Sequence, residues 1–263
     1  MFLEEFTAAA NGAKAKSRLL QEKPGGYLAS SMLAGAYIGF GILLIFTIGG
    51  LLDGAPYTRI VMGLAFGIAL SLVVIAGAEL FTGNNLVMAA GVLSGTATVG
   101  QLVKLWVVCF LGNWIGSIIL ATLFYYGGFT EGAVGEFIAA TAATKMSIPP
   151  VALFIRAVLC NTLVCLATWC SFRCKSDSGK LIMVFWCLFA FITTGFEHSI
   201  ANMTLLTVSL FAPGEAAISF AGYFYNIGVV TLGNIVGGVV CVALPYYLVS
   251  RTKSPAAAPE GKE

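Results

Sequence analysis

Hydrophobic residues occur along the chain in six long runs, and a short polar break separates each run from the next. A helix that crosses the hydrocarbon core of a bilayer needs about 20 mostly apolar residues. Each run is long enough for one such helix, and the breaks contain turn-forming pairs such as Asp53-Gly54 and Pro149-Pro150. The pattern therefore predicts an all-α integral membrane protein with six transmembrane helices. The runs cover about 26–52, 59–92, 98–126, 151–172, 181–211 and 219–248.

The second and fifth runs are too long for one straight helix, and polar residues interrupt each of them near its middle. Both interruptions contain Gly-x-Glu, ending at Glu79 and Glu197, which are 118 positions apart. The third and sixth runs share Leu-Gly-Asn-x-x-Gly, with its asparagine at Asn113 and Asn234, 121 positions apart. The chain therefore consists of two three-span repeats, and an odd number of spans inverts the second repeat across the membrane. Broken helices at matching places predict a site near the bilayer midplane.

Basic residues in the loops predict the orientation. With the N-terminus inside, the inner loops contain ten Lys and Arg residues and the outer loops contain only Arg59 and Lys145, if Lys104 and Arg156 near span ends are left out. Residues 1–23 are polar and do not resemble a cleavable signal peptide. We therefore expect a multi-pass protein of a bacterial inner membrane. The predicted parts are a cytoplasmic N-terminal segment over 1–25, the transmembrane domain over 26–248 and a cytoplasmic tail over 249–263.

Composition excludes several other classes of protein. Apolar residues make up 59% of the 263 positions and charged residues 10%, which is too apolar for a soluble or disordered chain. The 14 basic residues are spread along the chain, so no nucleic-acid partner is expected. Seven cysteines without a CxxC pair and a single histidine predict neither a metal site nor a haem, and we expect no cofactor.

Ionisable groups within the membrane are the first candidates for function. For Glu79 and Glu197 we expect a structural role, in which the carboxylates accept hydrogen bonds from free N–H groups of the broken helices. His198 is the candidate hydrogen-bond donor or proton source for a passing anion, although it could also be a neutral side chain bonded between helices. Thr82 can present a hydroxyl to the same cavity. Half-helices that begin near Asn84 and Ser199 would direct their positive dipole ends toward it.

Large apolar residues flank these polar groups and could form constrictions that exclude hydrated ions. Lys145, in the loop before Pro149, either attracts anions to the mouth of a pore or is simply solvated. Small residues in Gly-x-x-x-Gly spacing at 35/39, 112/116 and 233/237 predict close helix contacts, within or between subunits. The flanking apolar residues are Phe66, Leu70, Leu80, Phe81 and Phe191.

Several sequence blocks, in order between about 26 and 248, resemble the formate/nitrite transporter family. Gly77-Ala78-Glu79-Leu80-Phe81-Thr82-Gly83 resembles its first signature, and the block from Cys160 to Ala167 its second, with Thr162 where an apolar residue is more usual. The block from Gly195 to Met203, which contains Phe196-Glu197-His198-Ser199, is the most recognisable. Val230 to Asn234 also fits. Asn84-Asn85 departs locally from the formate and nitrite branches.

The resemblance implies an aquaporin-like protomer in a homopentamer, with one pore in each protomer. It implies His198, Thr82 and Asn161 as the polar residues of the pathway and Lys145 as a vestibule residue. Constrictions are implied at Leu80 with Phe191 and at Phe66 with Leu70, with Phe81 as a neighbour. The segment 1–23 resembles a helix that closes the cytoplasmic mouth. Residues 1–5 and 34–39 are more similar to the nitrite branch of the family than to the formate branch. The expected order of anions is therefore nitrite, hydrosulfide and formate.

The expected function is therefore passage of small monovalent anions, with no enzymatic activity. Transfer of a proton from His198 would convert the anion to a neutral acid that crosses an apolar constriction more easily. Whether protons are co-transported stays open. Three alternatives stay open as well: a water or small-solute pore of the aquaporin type, which lacks support because Asn-Pro-Ala pairs are absent; a membrane subunit of a redox enzyme; and a membrane scaffold.

Overall fold

The computed structural model describes residues 1–251, and every regular element in that range is a helix. The predicted tail beyond Arg251 lies outside the described residues. Six helical stretches in this range are long and apolar enough to cross a bilayer, as the sequence predicted. The helices are α1 (Leu3–Glu22), α2 (Pro24–Leu51), α3 (Thr58–Ala65), α4 (Ile68–Leu72), α5 (Phe81–Leu93), α6 (Val99–Tyr126), α7 (Gly132–Ser147), α8 (Pro150–Arg173), α9 (Asp177–Thr194), α10 (Ser199–Phe211), α11 (Phe220–Gly238) and α12 (Leu244–Ser250).

Two of the spans contain π-helical turns, which the hydrophobic pattern did not predict. α4 continues through a π-helical turn at Val73–Gly77, so that 58–77 forms one kinked stretch. α11 continues into α12 through a second such turn at Val239–Ala243. π-turns are common next to functional sites because they change the direction of a helix and release backbone groups. The first of these turns ends directly at the break of the second span.

Both predicted helix breaks are present, and each follows a glycine with a left-handed backbone. Gly77 has φ 81° and Gly195 has φ 80°, a conformation that disfavours residues with a Cβ atom. Helix resumes at Phe81 in the first break and at Ser199 in the second. The first restart therefore comes three residues before Asn84, the position near which the sequence predicted it.

Short half-helices leave these breaks in opposite directions. α5 leads from the break to the end of the bundle where α6 begins, and α10 leads to the end where α11 begins. We name these ends by the surface helices next to them: the α1 face and the α7 face. α7 itself was not predicted, because the stretch between the third and fourth runs was interpreted as a loop.

Small residues bring the long helices of each repeat together within the protomer. Gly112 and Gly116 of α6 pack directly on the Ser31–Met32 turn of α2, where a Cβ atom on Gly116 would overlap the Met32 carbonyl. Gly237 of α11 packs in the same way on the Val158 carbonyl of α8. These Gly-x-x-x-Gly pairs therefore serve contacts within one subunit.

Candidate functional site

The two breaks are held open by two buried asparagines with matching contacts. Asn113 Oδ1 accepts the Phe81 N–H at 2.9 Å, and Asn234 Oδ1 accepts the Ser199 N–H at the same distance. Each amide nitrogen then donates to the carbonyl of the break glutamate, at 2.8 Å for Glu79 and 3.0 Å for Glu197. Each pair of bonds fixes the start of a half-helix and satisfies backbone groups that would otherwise be unpaired.

The glutamate carboxylates accept hydrogen bonds from side chains, and not from the backbone N–H groups that the sequence predicted as their partners. Glu79 accepts from Lys16 Nζ at 2.6 and 2.7 Å and from Asn84 Nδ2 at 2.9 Å. Tyr27 completes this cluster through its hydroxyl, 3.2 Å from the Glu79 carboxylate. The free N–H groups that the glutamates were expected to bind are taken by the asparagines described above.

The second break repeats this arrangement. Glu197 accepts from Lys145 Nζ and from Asn202 Nδ2, each at 2.7 Å. Only 3% of the Glu197 side chain and 17% of the Lys145 side chain are exposed, so the two charges neutralise each other in a largely buried pair. Asn202 matches Asn84, which the sequence indicated only as the approximate start of a half-helix and as a local departure from the formate and nitrite branches.

The helices that carry the two lysines are also related. Lys16 lies on α1 and Lys145 on α7, and each of these helices directly precedes a span that begins with proline. Each repeat therefore contains four parts, a surface helix and three spans, instead of the three spans that the sequence indicated. Lys16 had no detectable signal in the sequence, since its partner is 63 positions away.

The N-terminal ends of the two half-helices, α5 and α10, lie next to each other, and the two repeats have different side chains there. Thr82 Oγ1 and His198 Nε2 are 3.0 Å apart, and both residues are almost completely buried, with 0% and 2% exposure. His198 is also the N-cap of α10, and its Nδ1 accepts the Ala201 N–H at 3.1 Å. Because Nδ1 is an acceptor, a neutral imidazole has its proton on Nε2 and donates it to Thr82 Oγ1.

A large cavity opens on the α7 face and ends at His198. We call it the vestibule; its volume is about 490 Å³. Lys145 lies in its wall, together with Arg59 and Arg156. Phe191 forms the floor beside His198, with its ring stacked 6.0 Å from the imidazole.

Behind Phe191 and His198 lies a small apolar space, which we call the chamber. Its volume is about 10 Å³, which is at the lower limit for a single water molecule. Both residues line the vestibule as well, so they separate the two spaces. The chamber is lined by Ile38, Phe66, Leu70, Leu80, Val164, Leu188, Phe191 and His198.

Four of the five predicted constriction residues therefore meet around the chamber. Phe66 and Phe191 are in edge contact with ring centroids 5.4 Å apart, and Leu70 and Leu80 complete the same wall. Phe81 points elsewhere: its ring packs against Trp106 and Phe110 on the side of the bundle.

Asn161, like Thr82, lines neither the vestibule nor the chamber. Its amide donates to the carbonyls of Thr82 and Asn234, at 3.3 and 2.6 Å, and to Asn85 Oδ1 at 3.0 Å. Asn161 thus links the first half-helix, α5, to α11. The contact between Thr82 and His198 does not involve Asn161.

Known proteins share this architecture. The family model described as formate/nitrite transporter matches residues 4–248. The nitrite transporter NirC of Salmonella typhimurium is 43% identical over 261 residues, which cover 98% of this chain and 96% of the relative.

Two solved structures are similar over most of the chain. One, described as an FNT family ion channel, has a TM-score of 0.89 and 41% identity, and the match covers 94% of this chain and 99% of the other. The second is a pentameric formate channel with formate bound, with a TM-score of 0.75 and 31% identity over 87% of this chain and 98% of the other.

Proposed function

The chain belongs to the formate/nitrite transporter family, and from this premise we propose that it passes small monovalent anions through the vestibule and the chamber. It is a transport protein and not an enzyme. The observation that carries the proposal is that His198 lines both spaces, while its Nε2 lies 3.0 Å from Thr82 Oγ1 in a buried contact. His198 therefore places a polar side chain where an anion leaving the vestibule meets an apolar wall.

Nitrite is the first candidate among the anions. The similarity to a relative named as a nitrite transporter, at 43% identity over nearly the whole chain, supports it. Formate is the second candidate, because a structure described as holding formate has the same fold at 31% identity. Hydrosulfide, the third anion that the sequence left open, has the same charge and a similar size.

His198 acts in this proposal as a hydrogen-bond donor through its Nε2–H. A neutral imidazole that gave this proton away would itself become an anion in an apolar wall, which is strongly unfavourable. To act as a proton source it must first bind a second proton at Nδ1, and that proton would face the Ala201 N–H. The donor role needs neither change, so the contacts of His198 favour it over proton transfer.

An anion on this pathway loses water of hydration. The chamber, with its volume of about 10 Å³, is too small for a hydrated ion, so Phe191 and its neighbours must shift and the ion must lose water. Donors from Thr82 and His198 offset part of that loss at the moment when it occurs. Passage therefore depends on one polar contact within an apolar constriction.

We further propose a homopentamer in a bacterial inner membrane, with both termini in the cytoplasm. The pentameric state of the formate channel of similar fold supports the assembly. The excess of ten inner over two outer basic residues supports the orientation, which makes the α7 face the outer face.

Flux measurements on purified protein in liposomes test the proposed function. We expect nitrite, formate and hydrosulfide to enter faster than into protein-free liposomes, and we expect osmotic water permeability to stay at the lipid background. Water permeation without anion flux would instead identify a pore of the aquaporin type. A coloured preparation with a haem spectrum would favour the redox alternative.

A further inference from the structure

The basic residues that line the vestibule differ in whether a carboxylate neutralises their charge. Three cations, Arg59, Lys145 and Arg156, and one carboxylate, Glu197, lie in the wall. The carboxylate is 2.7 Å from Lys145 Nζ, so the charge of this lysine is already neutralised. The remaining positive charge belongs to the two arginines, neither of which forms an ion pair with another residue between 1 and 251.

Arg59 has the better defined position of the two. It lies in the first turn of α3 and is exposed, and its guanidinium rests against the left-handed Gly195 of the second break. A methyl group built on Gly195 would be 3.4 Å from Arg59 Nη1. The guanidinium is therefore held beside the last residues before His198, on the path from the mouth of the vestibule to its floor.

We propose that Arg59, and not Lys145, captures the anion in the vestibule and selects planar anions with two oxygens on one atom. This inference rests on the proposed function. A guanidinium presents two parallel N–H groups that match two oxygens of such an anion, whereas an ammonium group acts as a point charge. Nitrite and formate have this shape. Hydrosulfide has one sulfur atom and gains only the charge interaction.

Two other roles are chemically reasonable for Arg59, and the experiment below distinguishes them from anion capture. The guanidinium lies at the C-terminal end of α9, where a cation stabilises the helix dipole. An exposed arginine near the end of a span can also bind a lipid phosphate. Neither role distinguishes nitrite from hydrosulfide.

The experiment compares Arg59→Lys, Arg59→Gln and wild type in liposomes of phosphatidylcholine. Initial flux is measured against concentration for nitrite, formate and hydrosulfide. Arg251→Gln is the matched control, because it removes an exposed arginine from the α1 face. We expect Arg59→Lys to raise the half-saturation concentration about threefold to fivefold for nitrite and formate and to leave hydrosulfide unchanged. Arg59→Gln should raise it for all three anions.

Several results would overturn the inference. A half-saturation concentration for nitrite in Arg59→Lys equal to that of wild type leaves no role for the guanidinium in capture, and an equal rise for hydrosulfide leaves only a general field effect. A loss that occurs only when phosphatidylglycerol is added assigns the guanidinium to an anionic lipid headgroup. If Arg59→Gln fails to assemble and Arg59→Lys assembles with normal nitrite half-saturation, the residue serves the end of α9. A wild-type protein without nitrite flux would instead contradict the proposed function itself.

Discussion

Thr82 Oγ1 and His198 Nε2 lie 3.0 Å apart, although 116 positions separate the two residues in the chain. The two repeats meet at this contact, and they differ there. Leu80 occupies the place in the first break that His198 occupies in the second, 118 positions later. The pseudo-symmetric scaffold thus supplies one apolar and one polar side chain at equivalent positions, both in the wall of the chamber.

The donor role of His198 predicts a specific order of variants. We expect His198→Phe to reduce nitrite flux about tenfold or more, since it removes a donor to a charged solute. His198→Gln should keep most of the flux, because its amide can donate without a titrating proton. Stopped-flow flux in proteoliposomes, with assembly checked by size-exclusion chromatography, measures both. Equal loss in the two variants would point to proton transfer by the imidazole.

Thr82 allows a matched test of the other half of the contact. Thr82→Ser keeps the hydroxyl and is expected to retain flux, whereas Thr82→Val keeps the shape and leaves the Nε2–H of His198 unpaired. We expect the valine variant to lose about tenfold in flux. Both variants should assemble normally, because the residue packs at 0% exposure with little change of volume. Indistinguishable fluxes for Ser and Val would exclude the hydroxyl from the pathway.

Asn234 predicts a loss of stability. Its side chain makes three hydrogen bonds, at 2.9 Å to Ser199 N, 2.9 Å to Ala157 O and 3.0 Å to Glu197 O. Asn234→Ala leaves all three buried backbone groups unpaired, and we expect a destabilisation of about 2–4 kcal/mol. Thermal unfolding in detergent measures it. Thr122→Val, which removes one exposed side-chain bond, is the control and should change stability little.

The pair of Lys145 and Glu197 predicts a non-additive result. Lys145→Met leaves the buried Glu197 without its cation, and we expect a loss of about 3 kcal/mol in stability. Lys145→Met combined with Glu197→Gln removes both charges and should recover most of that loss. A double-mutant cycle on unfolding temperature tests the coupling. Additive losses would mean that the two charges do not stabilise each other.

The position of Phe191 predicts that its substitution changes the selectivity among anions. It separates the vestibule from the chamber, so Phe191→Ala is expected to join the two spaces and to admit larger or more hydrated anions. We expect acetate and chloride flux to rise while nitrite flux persists. Phe81→Ala, at a ring that packs on the side of the bundle, is the matched control. Unchanged discrimination in Phe191→Ala would place the constriction elsewhere.

Sequence reasoning succeeded where a physical constraint acts locally. The membrane requires long apolar runs, and a glycine two positions before a glutamate in such a run has few uses except a break, so Gly77 and Gly195 were informative. The Leu-Gly-Asn repeat was detected as well, but its asparagines were not predicted to hold the half-helices. That function depends on a partner in another helix, and a sequence pattern does not contain the distance between them.

The other differences between the sequence predictions and the structure also arise from contacts between residues that are far apart in the chain. Lys145 looked like a free cation because its partner Glu197 is 52 positions away. Arg59 was counted only for orientation, and nothing near it in sequence indicates that it rests on Gly195. Phe81 was singled out as an apolar residue beside a break and Asn161 through resemblance, and neither of these side chains, nor that of Thr82, lines the vestibule or the chamber.

The volume of the chamber has a consequence for the energy supply of the cell. Protons move through proteins by hopping along chains of hydrogen-bonded water, and a space of about 10 Å³ between apolar walls does not hold such a chain. We therefore expect the resting protein to conduct no protons, so that the electrochemical gradient across the membrane is kept between one transport event and the next.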